Sequence, residues 1–203
     1  MGIEDQMIID LIAKNKIDIS LFTLDTGRLF PESYDLIQKT NEKYKINIKA
    51  YFPDSEKVEK MTSEKGLNLF YDSLENRKQC CYTRKVIPLK RALSGNEAWI
   101  TGIRKEQSQN RGDTKVIEWD EGNQMIKINP LWNLTEREVW DFIKENSVPY
   151  NELHDKNFPS IGCAPCTRAV KQGEDPRTGR WWWEDSQKEC GLHMVNGKLV
   201  RGK

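Results

Sequence analysis

The placing of the cysteines constrains this chain more than any other feature. Cys80 and Cys81 stand side by side, Cys163 and Cys166 form a C-x2-C pair, and Cys190 stands alone within Glu189-Cys190-Gly191-Leu192-His193. Four thiols in two pairs can hold one metal centre, and two segments remote in sequence must then meet in the fold. The fifth thiol has Lys188 close before it and His193 close after it. A lysine and a protonated imidazole both raise the thiolate fraction, so Cys190 reads as a nucleophile, with His193 as general acid or base. The competing reading of Cys190 is a further structural thiol.

The 203 residues suffice for one domain with a real core. With 31% charged residues, 37% hydrophobic residues and a net charge of +1, the chain reads as soluble and globular. No bulk field argues for nucleic acid or an anionic membrane, so any anion site must be local. No run is apolar for long enough to span a bilayer. Glu4, Asp5 and Asp10 interrupt the N-terminal apolar residues, unlike a signal peptide, and Gln6 stands where myristoylation wants Ser or Thr. The expected setting is cytoplasmic, where paired cysteines are more often metal ligands or redox groups than disulfides.

Residues 17–24 alternate and read as a strand that runs into the polar turn Asp25-Thr26-Gly27-Arg28. Pro31 opens a helix over 32–45, and 46–52 predict a second strand. A charged helix follows over 55–65, with Gly66 as its C-cap. Residues 81–93 predict a further helix and 98–101 a short strand. Two short strands, 115–119 and 125–128, flank a Glu121-Gly122-Asn123 turn. Thr135 and Glu138 make a capping box for a helix whose apolar side carries Trp140, Phe142 and Ile143. After Pro149 the chain is loop-rich. This order predicts an α/β core with a mostly parallel sheet and a loop-rich C-terminal segment. Ligands in such sheets bind beyond the carboxyl ends of the strands, where residues 25–27 and 101–102 fall.

Adjacent cysteines suit one tetrahedral zinc ion poorly, because consecutive side chains diverge; a cluster of several irons separates its ligand directions. Spacing alone leaves iron–sulfur, zinc and inert buried thiols open. Of Arg84, Lys85, Lys90 and Arg91, which follow the double cysteine, only Lys85 is assigned a site role, since the four cannot share one helix face. Three segments join arginine with glycine: Asp25-Thr26-Gly27-Arg28, residues 101–107 with Arg104 and Gln107, and residues 175–180 with Arg177 and Arg180. Together they predict a polyanionic ligand of the phosphate or sulfate type. Trp181-Trp182-Trp183 reads mainly as a pin that holds the C-terminal segment to the core. His154 has no partner at ligand spacing and reads as a hydrogen-bonded structural residue.

Taken together, the chain resembles the iron–sulfur assimilatory adenylyl-sulfate reductases, relatives of the phosphoadenylyl-sulfate reductases. The likeness rests on residues 24–28, Cys80-Cys81 with Arg84-Lys85 and 88–91, Thr101-Gly102 with Arg104 and Gln107, 150–154, 160–167 and 179–193. It implies a Rossmann-like adenine-nucleotide α-hydrolase (PP-loop) fold, with 1–175 as the nucleotide-binding domain and 176–203 as a mobile segment. It implies a [4Fe–4S] cluster on Cys80, Cys81, Cys163 and Cys166. Cys190 would attack the sulfur of adenylyl sulfate and expel AMP, and thioredoxin or glutaredoxin would release sulfite. Asp25, Thr26, Gly27, Arg28, Lys85, Arg104, Gln107, Arg177 and Arg180 would bind the substrate, with His193 beside the sulfate or nucleophile. A homo-oligomer is compatible with this reading. The alternatives are a phosphoadenylyl-sulfate reductase and a noncatalytic, metal-stabilised binding module. The family carries a Ser-x-Gly-x-Glu-Asp phosphate loop, whose end Gly2, Glu4 and Asp5 match. The expectation is a chain that begins inside this loop, lacking its serine, a core strand and a leading helix, with sheet edges exposed.

Overall fold

The computed structural model describes residues 1–107 and 111–184, together with the backbone of Met194–Val195 and Lys198–Leu199. Its first element is a helix, α1 (Ile3–Lys14), where the sequence reading assigns none. Gln6 and Asp10, which break the apolar run there, are buried and meet a second helix, α2 (Pro31–Tyr44). Thr40 donates to Gln6 at 3.1 Å and the Tyr44 hydroxyl donates to Asp10 at 2.8 Å. Buried polar residues with remote partners hide the helical period of α1.

Between these helices β1 (Phe22–Leu24) runs parallel to β2 (Lys49–Tyr51), with Thr23 opposite Ala50. The strand expected over 17–24 is confined to its last residues. Alternation alone supplies no ladder partner, and Ile17 and Ile19 are exposed. Helix α3 (Ser55–Lys65) follows, with Asp54 accepting the Lys57 N–H at 3.0 Å and Gly66 ending it at φ 82°. Helix α4 (Leu74–Cys81), a π turn (Tyr82–Val86) and α5 (Ile87–Leu93) form one helical run. Pro88 has no N–H to return to the carbonyl one turn earlier, and the wider turn precedes it.

Strands β3 (Ala98–Ile100), β4 (Ile117–Asp120) and β5 (Met125–Ile128) make a second ladder in the order β3-β5-β4. β3 and β5 are parallel, and β4 adds an antiparallel edge. The Asp120 carboxylate organises the β4–β5 turn by accepting the Gly122 and Asn123 amides at 3.0 and 3.1 Å. Leu89 and Leu93 of α5 pack with Phe22, Leu24, Trp99 and Met125, so one helix covers both ladders. The opposite face of the second ladder presents Ile117, Trp119 and Ile126 to solvent. Helix α6 (Glu136–Glu145) opens with the capping box at Thr135 and packs Val139 and Ile143 against Ile3, Met7, Ile8 and Ile12 of α1. The short strands β6 (Met194–Val195) and β7 (Lys198–Leu199) pair antiparallel. No helix among the described residues is long and apolar enough to cross a membrane.

Candidate active site

Cys80 and Cys81 end α4, whereas Cys163 and Cys166 bracket a short 3-10 turn (Ala164–Cys166). All four line one cavity, which Arg28, Arg77, Arg84 and Lys85 also border. The turn is held from several sides. The Ala164 amide donates to the Arg28 carbonyl at 2.8 Å, and Thr167 Oγ1 donates to the Cys163 carbonyl at 2.9 Å. Thr26 Oγ1 lies 3.2 Å from Cys163 Sγ, and the Tyr71 hydroxyl donates to the Pro165 carbonyl at 2.8 Å. Among the described residues no three His, Cys, Asp or Glu donors are disposed around a single ion.

Burial pushes the Cys80 thiol up, although Arg84 opposes it. Burial pushes Cys166 up to about 12, the neighbouring Cys163 adds to this, and Lys85 and Arg180 pull the other way. The cations therefore do not by themselves make thiolates here; a bound metal would.

The Asp25-Thr26-Gly27-Arg28 turn lies against this cavity and is built by its own side chains. Asp25 Oδ1 accepts the Gly27 amide at 2.7 Å and the Tyr34 hydroxyl at 3.1 Å. Gly27 sits at φ 71°, which a side chain would disfavour. Arg28 donates to the Leu67 carbonyl and Asn68 and lies over the Phe70 ring at 5.0 Å. Arg84, which the sequence reading leaves out of the site, is buried and donates to the Thr26 carbonyl at 2.8 Å. The signal for it was available: Arg84 follows Cys80 by one helical turn, as Lys85 follows Cys81. Arg77, one turn before, carries the same signal.

Arg104 and Gln107 do not line the cysteine cavity. Both grip Glu4 in the first turn of α1, Arg104 through Nε at 2.9 Å and Gln107 through Nε2 at 3.0 Å. A Cβ on Gly102 would come within 2.8 Å of the Glu4 Cβ, so the bare backbone after β3 lets the two segments close. Asp5 accepts the Gly2 amide at 2.8 Å, and burial raises its carboxyl above the usual range. The Arg177 amide donates to Asp175 at 2.7 Å within a turn. Arg180 is buried over the Trp181 ring at 4.7 Å, and its neighbour Trp181 is enclosed among the cysteines while Trp182 is largely exposed. His154 packs edge-on to Trp140, and its Nε2 has no hydrogen-bond partner. Cys190 and His193 lie outside the described residues.

The sequence profile described as the phosphoadenosine phosphosulfate reductase domain matches residues 1–169. The chain belongs to the phosphoadenosine phosphosulfate reductase family. A relative named adenosine 5'-phosphosulfate reductase, from Allochromatium vinosum, is 50% identical over 194 residues, which cover 95% of this chain and 76% of that protein. Among solved structures, the phosphoadenylyl-sulfate reductase of Candida auris, in a phosphate complex, has a TM-score of 0.69 at 36% identity, covering 83% of this chain and 79% of that one. The FMN adenylyltransferase of Candida glabrata has a TM-score of 0.54 at 16% identity, over 96% of this chain and 66% of that one, a likeness of fold alone. These neighbours, with the parallel pairs β1–β2 and β3–β5, place the family's core here among Rossmann-like, PP-loop-type nucleotide-binding folds.

Proposed function

We infer that this chain reduces adenylyl sulfate to sulfite and AMP in assimilatory sulfate reduction, with Cys190 as the nucleophile. The observation that carries this reading is 50% identity to an adenosine 5'-phosphosulfate reductase across 95% of the chain. The Cys190 thiolate attacks the sulfur of adenylyl sulfate. The sulfur–oxygen bond to the phosphate breaks, and its electron pair leaves on AMP. The sulfonate now on Cys190 is released when one thiolate of a dithiol protein attacks the Cys190 sulfur. The Cys190–sulfonate bond breaks, and its electron pair leaves with sulfite. The second thiol of the pair resolves the mixed disulfide and returns Cys190, so the dithiol supplies both electrons. Thioredoxin or glutaredoxin, in the cytoplasm, fits this dithiol.

Lys85, Arg104, Arg177 and Arg180 stabilise the charge that develops on the leaving phosphate. Asp25, Thr26, Gly27, Arg28 and Gln107 bind the nucleotide portion, and His193 moves the proton at Cys190. Cys80, Cys81, Cys163 and Cys166 would hold a [4Fe–4S] cluster. Their convergence on one cation-bordered cavity supports such a centre. Bound there, the cluster would supply a fixed local field beside the substrate rather than electrons.

Phosphoadenylyl sulfate is the second reading, favoured by the likeness to the Candida auris structure. Intact-mass spectrometry of anaerobically purified protein, mixed with each nucleotide and no dithiol, tests both. One sulfonate adduct is expected with adenylyl sulfate, on the wild type and not on Cys190→Ser. An adduct only with phosphoadenylyl sulfate would change the substrate, and none with either would overturn the reading.

A further inference from the structure

Arg77 is 3% exposed, on the turn of α4 that precedes Cys80. Its guanidinium makes a two-pronged ion pair with Glu184, Nε to Oε1 at 2.8 Å and Nη2 to Oε2 at 2.9 Å. Both side chains are almost wholly buried, at 4% and 8% exposure. An ion pair so deeply desolvated contributes little net stability, and a role in fixing geometry accounts for it better. The rest of the contact has the same character. The Arg77 guanidinium carbon lies 4.5 Å from the Trp181 ring centroid and that of Arg180 lies at 4.7 Å, so two cations share one fully buried indole. Trp181 holds a left-handed backbone at φ 43°, which a bulky residue keeps only when its surroundings impose it. Its amide donates to the Cys166 carbonyl at 3.3 Å, and the Glu184 amide donates to the Trp181 carbonyl at 2.9 Å. On Gly162 a Cβ would fall 2.3 Å from Arg180, so the bare backbone before the C-x2-C turn makes room for that arginine. The chain is thus fastened at Glu184 to both halves of the cysteine site at once.

We propose that Arg77 and Glu184 are positioning residues, a latch that fixes where the Cys190-bearing segment leaves the cysteine site. This rests on the reading of Cys190 as the nucleophile. Cys190 lies six positions beyond Glu184. Six residues span at most about 20 Å, so the root at Glu184 bounds where the Cys190 thiol can reach. With the root fixed, attack by Cys190 is an intramolecular event at high effective concentration; with the root loose, the same thiol spends its time elsewhere. Neither residue touches the reacting atoms in this proposal, so substrate affinity should not depend on them.

The test measures Cys190 sulfonation by adenylyl sulfate in a single turnover without dithiol, on the full iron-loaded chain. Glu184→Gln and Arg77→Lys are each expected to slow the step by about tenfold or more at saturating nucleotide, with half-saturation within about twofold. The double variant should be no slower than either single one, because both remove the same contact. Hydrogen exchange adds a readout that needs no catalysis. The Trp181 and Glu184 amides should exchange about tenfold faster in the variants, while the Cys166 amide, which donates to Cys163 at 2.9 Å, stays protected. A chain with two glycines inserted directly after Glu184 keeps the ion pair and should also sulfonate more slowly, which covers the case in which a point variant folds badly. Wild-type sulfonation with unchanged rates in Glu184→Gln, or in the insertion, would overturn the latch. Loss of Cys166 protection together with that of Trp181 would reduce it to a support of the cysteine turn. A wild type that forms no sulfonate would instead bring down the reading of Cys190.

Discussion

The His154 imidazole sits edge-on to Trp140, with centroids 5.3 Å apart. Burial first, and then the positive N-terminal amine, push its pKa down to about 4, with Asp155 opposing. An unfolded histidine titrates near 6.5. Between that value and about 4 the unfolded chain holds more protons than the folded one, so stability falls as pH drops through this window and is untouched above it. By pH 5 the loss should be on the order of 1–2 kcal/mol. Urea unfolding at pH 7 and at pH 5 should show a smaller difference for His154→Phe than for the wild type; equal differences would mean that the acid limb lies elsewhere. As a structural residue His154 was legible from its lack of a ligand-spaced partner. That its Nε2 would go without a hydrogen bond was not, because this depends on what the fold packs around the ring, Trp140 among it.

Elements with local codes form where their residues say. The Thr135–Glu138 box is present: Thr135 Oγ1 accepts the Glu138 amide at 3.2 Å and Glu138 returns to the Thr135 amide at 2.7 Å. Thr135→Ala should cost about 1 kcal/mol. Because α6 is packed on α1 through Val139 and Ile143, that cost should appear as a few degrees in the melting of the whole domain rather than as local fraying. A melting temperature equal to the wild type would show that tertiary packing holds the end of α6 without its cap. β5 likewise occupies the residues read for it, 125–128. The helix read over 81–93 instead continues back to Leu74 through a π turn, because its first turns are set by the Ser73 cap and by contacts to remote segments rather than by an apolar stripe.

Across the molecule, the two cysteine pairs join the α4–α5 run to the loops after residue 160, and Phe70, Met61 and Trp181 pack around them. Metal binding at such a junction is coupled to folding, since the unfolded chain has no preformed site. Cys163→Ser should lose iron and melt several degrees lower than the wild type under anaerobic calorimetry, and the wild type stripped of iron should move the same way. Full iron content in Cys163→Ser would contradict the ligand assignment. The sequence by itself singled out candidate residues for the chemistry and placed the α6 cap, because thiol spacing, glycine beside arginine and a capping box are local facts of composition and offset. Only the tertiary structure decided that α1 is a helix with buried Gln6 and Asp10, that Arg104 and Gln107 turn to Glu4, and that Arg77 meets Glu184. Each of these depends on a partner far along the chain that removes a desolvation penalty, and no local pattern records where such a partner will arrive.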